Sequence, residues 1–70
     1  MTPIRAPLTG RVWKVECAVG DHVNQGDPVI ILESMKMEVP VEAPAAGTIA
    51  TVHCSEGDPV DEGAVLATLA

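Results

Sequence analysis

One lysine stands out among the residues that could do chemistry. In the stretch ILESMKMEVP, Lys36 lies between Met35 and Met37, and the chain has only one other lysine. Carboxylates flank the triplet at Glu33 and Glu38. A lysine amine can accept a covalent group, and polarizable methionines suit a contact surface. The pattern therefore predicts an amine that is held out for another protein.

Other polar side chains are weaker candidates. Cys17 and Cys54 lack the close spacing of a metal-binding pair. In a cytosolic chain such cysteines are usually small buried apolar residues rather than a disulfide. His53 beside Cys54 is weak evidence for a metal, so we predict no metal site. Asp21 and Asp58 could form a catalytic carboxylate pair, but each follows a glycine, and Gly-Asp steps are typical of turns.

Length and composition predict one small β-rich domain. Seventy residues allow only a marginal core. The apolar residues are mainly Val, Ile, Leu and Ala, which together with six glycines favour strands. No segment has helical spacing, the length of a membrane span, or the form of a signal peptide. The net charge of −6 argues against nucleic acid and anionic membranes as partners. We therefore expect a cytoplasmic protein.

The chain contains an internal repeat. The segment APLTGRVWKVECAVGDHVNQG, from Ala6, aligns without a gap with APAAGTIATVHCSEGDPVDEG, from Ala43. The half-repeats cover residues 6–33 and 43–70, and residues 34–42 join them within a single domain. Matched glycines in the two halves predict matched turns, because glycine readily adopts positive φ.

Six strands are predicted from the apolar pattern. They cover residues 2–6, 10–17, 28–33, 37–43, 47–54 and 64–69. Val12 and Val15 are three positions apart, which breaks the alternation and predicts a bulge. Pro40 requires an edge strand or an unpaired position. Many short strands with frequent turns predict an all-β flattened barrel or sandwich of two small antiparallel sheets, here with internal pseudo-two-fold symmetry.

The join between the half-repeats predicts an unfavourable hairpin loop. If the strands on either side of Met35 and Lys36 pair with each other, these two residues form the loop. Such loops prefer Asn-Gly or Asp-Gly, because both positions usually need positive φ. A broken local rule in an otherwise consistent chain is where function is expected. In the simplest alternative Lys36 is a solvated turn residue and the methionines fill the core, although a loop tip is a poor place for a core residue.

The motif ESMKME resembles the biotin-attachment motif of biotinyl domains, the carriers of biotin-dependent carboxylases. The resemblance covers nearly the whole chain, including GxVxxV, GDxVxxGD and the second half-repeat. It implies that biotin is joined to Lys36 by an amide bond. It also implies that Met35 and Met37 are the flanking methionines that a biotin protein ligase prefers.

By the same resemblance, the ligase would recognise the residues around the lysine. These are Glu33, Ser34, Met35, Met37 and Glu38. Glu33 matches the acidic start of the motif, whereas Ser34 replaces the commonest residue, Ala, which is a mild change. Because the halves align without a gap, the inserted thumb of the family's best-known bacterial carrier is expected to be absent.

The resemblance implies a protein without catalytic residues of its own. A biotin carboxylase would load CO2 from bicarbonate onto biotin with ATP, and a carboxyltransferase would pass it to an acceptor such as an acyl-CoA or pyruvate. The carrier would contribute a long arm and mobility. With almost nothing before its first strand, the chain is expected to be a free-standing carrier or an excised domain.

Two other interpretations remain open. A lipoyl domain has the same duplicated sandwich and also modifies a hairpin lysine, but its motif has Asp before and Ala after that lysine. This chain has Met35 and Met37 there. An unmodified interaction module of the same fold would use Lys36 as an ordinary turn residue. The intact mass of protein from a cell with biotin ligase would separate the three.

Overall fold

The computed structural model describes residues 1–70, and all of its regular structure is β-strand. The strands are β1 (Thr2–Arg5), β2 (Gly10–Val15), β3 (His22–Val23), β4 (Pro28–Ser34), β5 (Met37–Glu42), β6 (Gly47–Val52), β7 (Pro59–Val60) and β8 (Val65–Leu69). They form two antiparallel sheets of four strands: sheet A has the order β1-β8-β6-β3, and sheet B the order β5-β4-β2-β7. The predicted fold class is confirmed. No helical segment that could cross a membrane is present.

The two sheets correspond strand by strand. In the first half β2, β3 and β4 occupy the places that β6, β7 and β8 occupy in the second, and β1 is equivalent to the end of β5. Each short strand crosses to the sheet of the other half, since β3 pairs with β6 and β7 pairs with β2. Neither half can therefore complete a sheet without the other.

Bulges allow the strands to fill one core of thirteen buried residues, all of them apolar. The pairing of β2 with β4 shifts between Val12 and Lys14, and the pairing of β6 with β8 shifts at the equivalent place. The bulge predicted between Val12 and Val15 is confirmed. A further shift in β4 buries both Val29 and Ile30. Neighbours in a regular strand would point to opposite faces.

Glycine and aspartate form the turns as predicted. Gly20 and Gly57 have φ values of 95° and 92°. The Asp21 carboxylate accepts a hydrogen bond of 2.9 Å from the Ala18 N–H, and the Asp58 carboxylate accepts the equivalent bond in the second half. Because each carboxylate is bound to its own turn, the interpretation of both residues as turn residues, rather than an acid–base pair, is confirmed.

The equivalent edge strands β1 and β5 each carry a proline. Pro40 lies in β5, at the edge of sheet B, and Pro3 lies at the equivalent place in β1, at the edge of sheet A. Proline has no N–H to offer to a further strand, so it protects an edge from pairing with another chain. The expectation that Pro40 needs an edge strand is confirmed.

Some predicted strand limits and the burial of the cysteines are wrong. β2 and β6 end at Val15 and Val52, two residues before the predicted ends, because the chain bends there toward the glycine turns. Cys17 and Cys54 lie beyond the strands, and they pack half-buried against the core rather than in it. Both thiols are free. The sequence also fails to predict β3 and β7, since two residues carry no periodic pattern.

Candidate functional site

β4 and β5 form the hairpin that carries the lysine. Ser34 pairs with Met37, so Met35 and Lys36 are the two residues of the loop. Their φ values are 52° and 64°, and every other positive φ in the chain belongs to a glycine. Both loop residues are thus in the left-handed region, which is what a two-residue hairpin loop of this type requires.

The left-handed conformation is unfavourable for Met35 and Lys36. The β-carbon comes too close to the following carbonyl oxygen, which costs roughly 1–2 kcal/mol per residue. Backbone strain of this kind persists only where the surrounding structure enforces it, and it is concentrated at functional sites. Here the closing pair of Ser34 and Met37 enforces it.

The Lys36 amine makes no bond within the protein. Its side chain is exposed, and it takes part in none of the side-chain hydrogen bonds. The only ion pair joins the other lysine, Lys14, to Glu16, with 3.9 Å between nitrogen and oxygen. Lys14 lies inside β2. Of the two lysines, only Lys36 combines a place at a tip with an amine that is not engaged.

The two methionines do not belong to the core. Met35 is 92% exposed and Met37 is 65% exposed. The alternative in which they fill the core is therefore excluded. Met37 faces the same side of β5 as the buried Val41, but it lies beyond the end of the core. Two flexible thioether side chains thus flank the lysine on the surface, where a partner can contact them.

Carboxylates lie opposite each other just below the tip. Glu33 and Glu38 form the next pair of the hairpin, and both are exposed. Like charges directly opposite each other in a strand pair are destabilising. Glu33 also has Arg11 as its partner on β2, whereas Glu38 lies on the edge strand and has no further neighbour. The Glu38 carboxylate is therefore open to a cationic group of a partner.

Gly10 allows β2 to approach the base of the hairpin. A β-carbon at Gly10 would lie 2.8 Å from the carbonyl oxygen of Glu33 and 3.4 Å from the β-carbon of Ser34. At the equivalent Gly47 the nearest atom, the β-carbon of Leu69, would be 3.6 Å away, which is an ordinary contact. Sequence reasoning missed this role of Gly10, because a repeated glycine shows that a position is special without showing which strand it faces.

The thiols are not suited to act as nucleophiles near neutral pH. Burial raises the pKa of Cys17 above its ordinary value, and the Asp21 carboxylate raises it further. Burial also raises the pKa of Cys54, and Asp58 and then Cys17 add to the effect. The thiolate is the reactive form of cysteine, so a raised pKa lowers reactivity.

The family of the chain follows from a match over nearly all of its length. Residues 2–69 match the biotin/lipoyl attachment family, whose description is biotin-requiring enzyme. The chain belongs to this family. In this biotinyl domain the hairpin of β4 and β5 presents an exposed lysine at its tip.

The matched segments span about half or less of the length of the curated relatives. A biotin carboxyl carrier protein of Streptococcus mutans is 52% identical over 33 residues, which are 47% of this chain and 25% of that protein. A putative urea carboxylase of Emericella nidulans is 49% identical over 39 residues, which are 56% of this chain and 3% of that protein. The crystal structure of Kluyveromyces lactis urea carboxylase superposes with a TM-score of 0.92 and 41% identity, covering 97% of this chain and 6% of that one.

The prediction of a biotinyl domain that carries covalently attached biotin is confirmed by these matches. The residues of the hairpin fit this cofactor. Attachment through an amide requires a primary amine that is exposed and not engaged elsewhere, and the tip offers one at Lys36.

Proposed function

We propose that Lys36 is the residue that carries biotin. The observation that supports this most strongly is the conformation of the tip, where a lysine is kept at positive φ and its amine makes no bond. In the attachment step the amine nitrogen attacks an activated carboxyl group of biotin, loses a proton and displaces the activating group. Lys14 is a poor substitute because it lies mid-strand and pairs with Glu16.

A biotin protein ligase is the proposed enzyme of this step, and the hairpin is its recognition element. Met35 and Met37 offer apolar contacts on either side of the lysine. Glu33 and Glu38 offer exposed carboxylates one pair below the tip. Ser34, in the closing pair of the hairpin, completes the set of residues implied by the motif.

The proposed role of the biotinylated chain is that of a carboxyl carrier in a biotin-dependent carboxylase. When attached, biotin supplies the ring that accepts a carboxyl group at a biotin carboxylase and releases it at a carboxyltransferase. The chain anchors the arm on a tight two-residue loop and keeps it in reach of both sites, which raises its local concentration there. The name of the Streptococcus mutans relative, biotin carboxyl carrier protein, supports this role.

Carboxylase chemistry is proposed to belong to the partners and not to this chain. The surface has no cavity that could enclose a nucleotide or an acyl acceptor. Rigorously purified, biotinylated protein is therefore expected to show no bicarbonate-dependent hydrolysis of ATP. Hydrolysis that persists through further purification and is lost with heat denaturation of this chain would contradict the proposal.

The attachment residue is tested with two matched variants, Lys36→Arg and Lys14→Arg. Each is incubated with a purified biotin protein ligase, biotin and ATP, and its intact mass is measured. We expect one biotin on the wild type and on Lys14→Arg, and none on Lys36→Arg. Peptide mapping then locates the modified residue.

Arginine keeps the positive charge at both positions, so the two variants differ only in which amine is removed. Labelling of Lys36→Arg at the wild-type rate would contradict the assignment. A parallel incubation with a lipoate protein ligase and lipoate tests the lipoyl alternative, since the two cofactors add different masses. No added mass in either incubation would favour the unmodified module.

A further inference from the structure

The outer faces of the two sheets differ, although the sheets are equivalent through the repeat. On sheet B the outward positions around the bulge of β2 are Arg11, Trp13, Lys14, Ile31 and Pro40, and we name this surface the Trp13 face. The equivalent positions on sheet A are Thr48, Ala50, Thr51, Thr68 and Pro3. The two faces differ most at the bulge, where sheet B has the indole of Trp13 and sheet A has Ala50. Sheet B also carries Glu33 beside Arg11, and on sheet A the His53 ring is hydrogen-bonded to Thr51 and Thr68.

Trp13 is half-exposed on the outer face of sheet B. It is the only aromatic residue of the chain, and 46% of it is exposed. The shift in pairing between Val12 and Lys14 turns it outward, while Val12 itself is buried. The equivalent bulge of β6 has Ala50, so the fold accepts alanine at this position. Trp and Arg are the residues that most often dominate the binding energy of protein interfaces.

The Trp13 face lies within reach of an enzyme that works at the hairpin. Ile31, in the middle of the face, precedes Met35 by four residues of β4, which is about 13 Å at a rise of about 3.3 Å per residue. A standard interface buries about 800 Å² on each partner, a patch about 16 Å in radius. A partner that is centred on the tip and lies over sheet B would therefore cover Trp13.

We propose that the Trp13 face is the docking surface for a biotin protein ligase, with the indole in an apolar recess and ligase carboxylates beside Arg11 and Lys14. This inference rests on the proposed function of Lys36. A lysine side chain has only a four-carbon stem, so the enzyme that modifies the bare lysine must bring its own surface against the chain close to the tip. Enzymes that act on the attached biotin meet it at the end of a longer arm, and they need not touch this face.

Two cations flank the indole on the Trp13 face, and each has a carboxylate of the same chain beside it. The chain has a net charge of −6 and only four Lys and Arg residues, yet Arg11 and Lys14 both lie here, with Glu33 opposite Arg11 and Glu16 beside Lys14. Lys14 is 3.9 Å from Glu16 in an exposed ion pair, which is weak and can be exchanged for a partner carboxylate. Complementary charges at the rim of an interface mainly speed association and fix orientation.

The test moves the indole from one face to the other. We compare the wild type, Trp13→Ala, and the exchange variant that combines Trp13→Ala with Ala50→Trp and so keeps the composition unchanged. Biotinylation is measured at saturating biotin and ATP with a purified ligase. We expect KM for the carrier to rise about tenfold in both variants, with kcat unchanged, because a contact made equally in the ground state and transition state is lost.

A second measurement reports the contact directly. The chain has a single indole, so isotope-labelled carrier gives one indole N–H resonance. Unlabelled ligase with biotin but without ATP is expected to shift or broaden that resonance in the wild type. The same addition should leave the relocated indole of the exchange variant unaffected, because that ring lies on the opposite sheet.

Three outcomes would overturn the proposed docking surface. The first is a wild-type KM in both variants, and the second is an indole resonance that ligase does not change although labelling proceeds. The third is an indole resonance that changes with carrier concentration alone, which would show that a second copy of the chain occupies the face. A wild-type chain that is never labelled on Lys36 would instead refute the proposed function.

Discussion

The glycine turns and the lysine hairpin solve the same backbone problem with different residues. Four turns place glycine at φ values between 87° and 95°, and a β-carbon there would meet nothing within 4 Å. The hairpin places Met35 and Lys36 at φ values of 52° and 64° instead. The glycine turns use the residue with the least strain. On the proposed function, the hairpin keeps two strained residues because their side chains are recognised by the ligase.

The strain at the tip is large relative to the stability of a small domain. Each left-handed residue costs roughly 1–2 kcal/mol, whereas a whole domain is stable by only about 5–15 kcal/mol. A chain of 70 residues lies at the low end of that range. A residue pair that reduced the strain would therefore stabilise the fold noticeably. The proposed recognition of Met35 and Lys36 by a ligase gives a reason why this strain is retained.

The largest effect is expected when the two loop residues are exchanged. The double variant Met35→Lys with Lys36→Met keeps composition, charge and the number of strained residues, but it points the amine in another direction. Misplacing a reacting group by about 1 Å can cost on the order of 100-fold in rate. We expect single-turnover biotinylation to slow by about that factor or more, as measured with purified ligase by streptavidin binding.

Circular dichroism and a denaturation curve provide the control, since the exchange should leave both close to wild type. If the exchanged protein is folded and labelled at the wild-type rate, the ligase reads any nearby exposed lysine. The hairpin would then have no role in positioning the amine, and it would differ from the glycine turns only in its residues.

A smaller effect is expected from Gly10→Ala, with Gly47→Ala as its matched control. The new β-carbon would lie 2.8 Å from the carbonyl oxygen of Glu33, so the backbone at the base of the hairpin must shift. Overpacking of this kind typically costs about 1–3 kcal/mol. Gly47→Ala creates only a 3.6 Å contact with the side chain of Leu69. Chemical denaturation should show a clear loss for the first variant and a small change for the second.

Biotinylation should follow the same order, because only Gly10 touches the strand that carries the tip. Equal losses in stability and in labelling rate for the two variants would contradict this expectation. They would show that a β-carbon at Gly10 disturbs the base of the hairpin no more than a β-carbon at Gly47 disturbs the equivalent end of sheet A.

The sequence predicts the parts of the fold that have a local cause. The glycine turns follow from residue type, the bulge after Val12 follows from broken alternation, and the edge position of Pro40 follows from its missing N–H. The position of Met35 at a strained tip also follows, since a two-residue loop needs positive φ whatever residues it contains.

The features that sequence reasoning missed depend on the pairing of distant strands. The contact between Gly10 and Glu33 requires the register of β2 on β4, which no single segment determines. The exposure of Trp13 depends on which side of the bulge faces the core. Cys17 is small and apolar like a core residue, but it lies beyond the end of β2, where the regular pairing with β4 ends.

A still smaller effect is expected from relieving the strain at the tip. Asparagine tolerates the left-handed region better than most residues, so Met35→Asn should stabilise the chain by about 1 kcal/mol. Met35 is 92% exposed, so little packing is lost. Met37→Asn is the matched control: it also removes an exposed methionine, but its φ is not positive, so no gain is expected.

The rate of biotinylation of Met35→Asn and Met37→Asn separates the effect on stability from the effect on recognition by the ligase. Both variants remove an apolar contact next to Lys36, so both should be biotinylated more slowly than the wild type, although Met35→Asn is the more stable protein. A stabilised Met35→Asn that is labelled at the wild-type rate would mean that the strain is not retained for recognition.

The smallest effect concerns pH and belongs to the glycine turns rather than the hairpin. Burial, with a nearby turn aspartate, raises the folded-state pKa of Cys17 and Cys54 above the ordinary value of 9.0. Both protonated thiols then stabilise the folded chain at pH values below 9.0. This stabilisation is lost as the pH rises through the folded-state pKa, because the unfolded chain releases the thiol protons more readily. Stability should therefore fall above pH 9 more steeply in the wild type than in the double variant Cys17→Ala with Cys54→Ala.

The double variant loses some packing at every pH, so the quantity to compare is the change in the free energy of unfolding between about pH 8 and about pH 10. All other ionisable groups are the same in both proteins, so their contributions cancel. The resonances of the hairpin should move alike in the two proteins over this range, since the thiols pack against the core and not at the tip. Parallel stability curves would show that the thiols ionise equally easily in the folded and unfolded chain. The thiols beside the glycine turns would then not destabilise the protein at high pH.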